Sequence, residues 1–130
     1  LRGRVAEQHR ELLALEPLLR EAGRHTPLVQ VQGLQHLALN AVDRGAFGEA
    51  EAHAREGFAL ARRALGDHHP DTVAGAVLLA LAHRYAQHHA LAVQQGALAL
   101  QLTETLYGQA LHPRRAEARA VYGQALAEAG

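Results

Sequence analysis

Leu37-Ala38-Leu39, Gly45-Ala46-Phe47-Gly48-Glu49-Ala50 and Ala64-Leu65-Gly66-Asp67-His68-His69-Pro70 return, worn, about forty-two residues later. In the second pass Leu79-Ala80-Leu81 leads to Gln87-His88-His89-Ala90-Leu91-Ala92, then to Leu106-Tyr107-Gly108 and His112-Pro113. Self-similarity at this period marks a repeat architecture, in which each unit covers the open face of its neighbour. The expected fold is all-α, a solenoid of antiparallel helix hairpins.

The two copies agree in the spacing of their apolar residues. Val31, Leu34, Leu37, Ala38 and Ala41 correspond to Val73, Ala76, Leu79, Ala80 and His83, one stripe on a helix. The next segment sets Ala50, Ala54, Gly57, Phe58, Ala61 and Leu65 against Ala92, Gly96, Ala99, Leu100, Thr103 and Tyr107. So many Ala and Gly at contact positions let helices approach closely. Pro70 and Pro113 suit the first turn of a helix, and Gly66 and Gly108 stand where a helix must stop. About six helices are expected, over 4–22, 28–44, 47–65, 70–86, 89–107 and 113–129, with Pro17 expected to divide or kink the first. They form a single domain of repeats over 1–27, 28–69 and 70–112 and a partial repeat over 113–130. The chain opens without Met and stops at a hairpin turn, and is expected to be a piece of something longer.

Composition removes several function classes. Thirteen Arg balance thirteen Asp and Glu, so no whole-chain field attracts nucleic acid or an anionic membrane. The pairs Arg62-Arg63 and Arg114-Arg115 flank helix ends, where cations are ordinary, and three Tyr and two Phe make no stacking platform. Cys, Ser and Lys are missing, which leaves no thiolate or serine nucleophile and no Schiff-base amine. The apolar run from Ala76 to Ala82 is too short to span a bilayer. The expectation is a cytoplasmic protein that is not an enzyme, with no cofactor, nucleic acid or membrane partner.

These residues resemble the tetratricopeptide repeat, in the long-helix variety found in kinesin light chain. The resemblance rests on Leu37-Ala38, Gly45, Glu49-Ala50-Glu51 and Leu65-Gly66-Asp67-His68-His69-Pro70-Asp71-Thr72. Leu15-Glu16-Pro17-Leu18-Leu19-Arg20-Glu21-Ala22 is similar to the start of a second helix of such a repeat, and His25-Thr26-Pro27 to a shortened linker. The second copy departs from the pattern at Gln87, where the turn glycine belongs, and at Leu91, which replaces Glu; the last linker carries an extra residue between Gly108 and His112. The resemblance implies a right-handed superhelix whose first helices line a concave, peptide-binding side.

Helical geometry then nominates Gln32, Gln35, Leu39 and Asp43 opposite the buried stripe of the second helix, and Ala74, Val77, Leu81 and Tyr85 in the fourth, with Arg84 adjacent. Glu117, Ala120, Gln124 and Glu128 are their equivalents in the last. An apolar middle flanked by amides and charges suits an extended peptide. Related chaperone-binding repeats clamp a carboxylate with Lys, Arg and Asn; Gln35, Leu39, Val77 and Leu81 stand there instead, which argues against such a clamp. The alternative is a structural role, in which the unfinished last repeat associates with another copy or a larger protein through Tyr122 and Leu126.

Ten histidines raise two further questions. His68-His69 beside Asp71, and His83 near His88-His89, lack the spacing that aims two rings at one metal ion, so no metal site is expected. His83 falls on the buried stripe and is expected to fill core space, while Glu49, Glu51 and Glu56 read as a solvated helix face. Titration of the histidines near their usual pKa of about 6.5 would make association depend on pH.

Overall fold

A computed structural model describes residues 2–23, 26–108 and 111–130, with the side chains of 2 and 19–23 outside the description. Six helices follow one another: α1 (Arg2–Gly23), α2 (Pro27–Asp43), α3 (Phe47–Ala64), α4 (Pro70–Tyr85), α5 (His89–Tyr107) and α6 (Pro113–Ala129). The expected boundaries of α2 to α6 are met to within one residue. α1 begins two residues earlier than expected and is one helix through Pro17, so the proline does not divide it.

The punctuation works as the residue types require. Pro27, Pro70 and Pro113 open α2, α4 and α6, where the ring removes no hydrogen bond. The N-cap histidines His69 and His112 each accept a backbone N–H two residues on, from Asp71 at 3.0 Å and Arg114 at 3.1 Å, through Nδ1. That bond satisfies one of the free amides at a helix start. The buried Thr72 hydroxyl donates to the Gly66 carbonyl at 2.7 Å and ties α4 to the end of α3. Tyr107 stacks on His112 with centroids 3.8 Å apart, closing the next linker in its own way.

The two hairpin turns are copies in backbone even where the sequence diverges. At the first, Gly45 has φ +76° and its amide bonds Val42, while the Ala46 amide bonds Ala41. At the second, Gln87 has φ +62° and its amide bonds Arg84, while the His88 amide bonds His83. This is the paired hydrogen-bond pattern of a left-handed helix stop. The loss of the glycine therefore leaves the turn intact and transfers a steric cost to Gln87.

Packing sorts the helices into two layers. Each helix packs on the next in sequence; in addition α2 packs on α4 and α4 on α6, whereas among the described residues the α3 backbone packs on neither α1 nor α5, and α3 meets α1 through the His9 and Glu49 side chains, 4.0 Å apart. α2, α4 and α6 thus lie side by side with α4 in the middle. The predicted stripes form most of the core: Val31, Leu34, Leu37, Ala38, Ala41, Val73, Ala76, Leu79 and Ala80 are all buried, as are Ala50, Ala54, Phe58, Ala61, Ala92 and Ala99, whereas Leu65, Leu100 and Tyr107 are half-buried. Small residues set the spacing, as at Gly96. A Cβ there would sit 3.1 Å from the Tyr122 Cα of α6.

Candidate functional site

The face made by α2, α4 and α6 carries a groove of about 190 Å³. Gln35 and Leu39 of α2, Ala74, Val77, Leu78 and Leu81 of α4, and Arg114 and Glu117 of α6 line it. Four nominated residues, Gln35, Leu39, Val77 and Leu81, therefore converge on one cavity. So do Ala74 and Glu117, which the same helical spacing had selected. Leu39 remains 45% exposed, an apolar side chain held at an open groove. Val77 is buried and forms the floor, while Leu81 is half-buried and packs on the core.

The polar rim is largely spoken for. Gln35 donates from Nε2 to the Asp71 carbonyl at 2.9 Å, which fixes the start of α4 against α2. Arg114 pairs with Glu117 at 2.7 Å, and Arg84 pairs with Glu128 across α4 and α6 at 2.6 Å. Arg84 and Arg114 are thus each neutralised by an acid, which lessens the positive charge that either offers to a carboxylate. Leu78 and Arg114 were not foreseen, since they lie off the single line of positions opposite the buried stripe.

The other nominated residues stand elsewhere. Gln32, Asp43 and Gln124 are exposed and line no part of the groove. Tyr85, at the end of α4, stacks on Phe47 of α3 with centroids 5.6 Å apart, and the Arg84 guanidinium lies 5.3 Å above its ring. Tyr122 is half-buried and meets Gly96 of α5, whereas Leu126 is exposed on α6. His25, Gln109 and Ala110, which belong to the expected linkers, lie outside the described residues.

The histidines correct the sequence reading more sharply. Glu51 is not on a solvated face: it is 6% exposed, and its Oε2 accepts from Nδ1 of His83 and from Nδ1 of His88, each at 2.6 Å. His83 is buried as expected, yet it fills the core as the partner of this carboxylate. Burial opposes ionisation of Glu51, but the two hydrogen bonds and the charge of the imidazoles outweigh it and hold its carboxyl below the usual range. A sequence signal existed, because Glu51, Ala54, Phe58 and Ala61 follow the i, i+3, i+7, i+10 spacing of a buried stripe.

Near the same end, Asn40 is buried under α1. It donates to Gln8 at 2.8 Å and accepts from Arg44 Nε at 3.0 Å, and Arg44 reaches Glu49 at 2.9 Å. This chain of polar contacts links α1, α2 and the start of α3.

Among the described residues no helix is long and apolar enough to cross a membrane. No family model and no curated protein matches the chain.

Proposed function

We propose that this chain is a non-enzymatic protein-interaction module, a solenoid of tetratricopeptide type that holds an extended peptide by an apolar side chain in the α2/α4/α6 groove. The observation that carries this reading is the convergence of Gln35, Leu39, Val77 and Leu81 on one open apolar groove, from positions that the repeat places in register. The repeated turns at Gly45 and Gln87, and helix contacts that among the described residues stay within a repeat or reach the adjacent one, support the solenoid. The resemblance supplies its right-handed sense and the use of the first-helix side.

The neutralised rim selects the ligand class. With Arg84 and Arg114 already paired, recognition rests on burying one aliphatic or aromatic side chain, worth about 1.5–3 kcal/mol, plus hydrogen bonds along the peptide backbone. A random peptide library selected on the chain should enrich sequences sharing one such residue. Leu39→Glu places a charge at the mouth without disturbing the floor, and should weaken those peptides about tenfold or more while circular dichroism stays unchanged. Leu81→Glu is the poorer probe, because Leu81 also packs on the core. Peptides that bind Leu39→Glu as well as the parent chain, or a selection that enriches nothing, would remove the groove as the binding surface.

A further inference from the structure

Independently of the groove, the geometry points to a second site: Glu51, His83 and His88 form a binding site for one transition-metal ion of the zinc class. The three residues come from α3, from the end of α4 and from the N-cap of α5. Their donor atoms, one carboxylate oxygen and two imidazole Nδ1, all lie within 4.8 Å of one another. Glu51 and His83 form the buried base of the cluster, while the His88 side chain is 54% exposed and leaves a way in.

The fold does not require these side chains. One repeat earlier, Ala41 and Ala46 occupy the positions of His83 and His88; one repeat later, Val93 occupies that of Glu51. The turn closes the same way in both places, with the Ala46 amide 2.8 Å from the Ala41 carbonyl and the His88 amide 2.9 Å from the His83 carbonyl. Small apolar residues therefore suffice at this junction, and the ligand-type residues are an addition to it. Burying a carboxylate is costly unless it is fully paired, which makes a functional reason for Glu51 more economical than a packing one.

The donor set defines the ion. Two imidazoles and one carboxylate suit zinc and its neighbours, whereas magnesium and calcium favour oxygen throughout. Both Nδ1 atoms face the same carboxylate oxygen. Each ring would meet the metal through its Nδ1 lone pair with a proton kept on Nε2: a neutral ring does so by changing tautomer and an imidazolium by releasing one proton to water, so protons balance and a fourth position stays open to water. Tetrahedral donors about 2.0–2.1 Å from zinc stand roughly 3.3 Å apart, so the 2.6 Å contacts must widen by about 0.7 Å. His88 can supply that movement, since it caps α5 beside the exposed Gln87.

The test is titration of the chelator-treated 130-residue chain with Co²⁺ alone and then Zn²⁺, followed by calorimetry and visible absorption. The expected result is one ion per chain, with tetrahedral cobalt bands that zinc displaces. His88→Ala removes an exposed ring and leaves the fold in place; it should weaken binding at least tenfold and abolish the rise in Tm that zinc confers on the parent chain. Glu51→Gln should weaken binding as well, and His36→Ala and His68→Ala should not. No saturable site at one equivalent, or binding that His88→Ala leaves unchanged, would overturn the proposal and assign any metal uptake to scattered surface histidines.

Discussion

Gln87 carries a backbone conformation that its own repeat had reserved for glycine, and replacing it with glycine should stabilise the protein. Its φ of +62° stands beside +76° at Gly45 in the equivalent turn, and the two turns share their hydrogen bonds to within about 0.1 Å. A non-glycine residue in this region costs about 1–2 kcal/mol through the clash of Cβ with the following carbonyl. Glycine avoids that clash but frees the unfolded chain, which removes about 0.4–1 kcal/mol of the gain. Gln87→Gly should therefore add about 0.5–1 kcal/mol, a rise in Tm of about 2–5 °C for a domain of this size. Urea denaturation followed by far-ultraviolet circular dichroism, with a chelator present, measures it directly. The denaturant slope should stay constant, since the folded and unfolded surfaces hardly change. Two companions separate the backbone term from side-chain effects: Gln87→Ala should be close to neutral, and Gly45→Gln should lose about what Gln87→Gly adds. A neutral or destabilising Gln87→Gly would refute the reasoning, because it would mean that the turn holds no steric cost at this position.

Two further predictions use the same assay. Gly96→Ala should destabilise by about 1 kcal/mol despite the better helix propensity of alanine, since its Cβ would press on the α6 backbone at Tyr122; Gly123→Ala, with no atom near its Cβ, should instead add about 0.5–1 kcal/mol. Hydrogen bonding to Arg62 holds the exposed Asp67 carboxyl below its usual range, so its contribution is complete above that range and is lost as pH falls through the lowered folded value. Asp67→Asn should cost no more than about 0.2–1 kcal/mol at neutral pH, and the difference from the parent chain should vanish in strong acid and shrink in high salt.

Much of this architecture is written locally. Pro70 and Pro113 mark helix starts, Gly66 and Gly108 mark stops, and the stripes through Val31 and Val73 name the buried faces before any contact is known. The groove was legible for the same reason. Helical phase alone separates Leu39 and Leu81 from the core stripe, and repetition puts the phases of α2, α4 and α6 in register. Leu78 and Arg114 escaped because a groove between helices also draws on positions to either side of its central line. Pro17 does not divide α1, which continues through it as one helix.

Glu51 shows where local reading ends. Its chemistry argues for solvent, its phase on α3 argues for the core, and sequence offers no means of weighing the two. The outcome depends on which side chains meet it from α4 and α5, and His83 and His88 lie more than thirty residues away along the chain. Periodicity, turn residues and the forty-two-residue echo by themselves determined that this protein is helical, where its helices run and which faces they bury. Only the tertiary structure decided that a carboxylate and two imidazoles share one buried point, because convergence is a property of three helices packed together and is encoded in none of them alone.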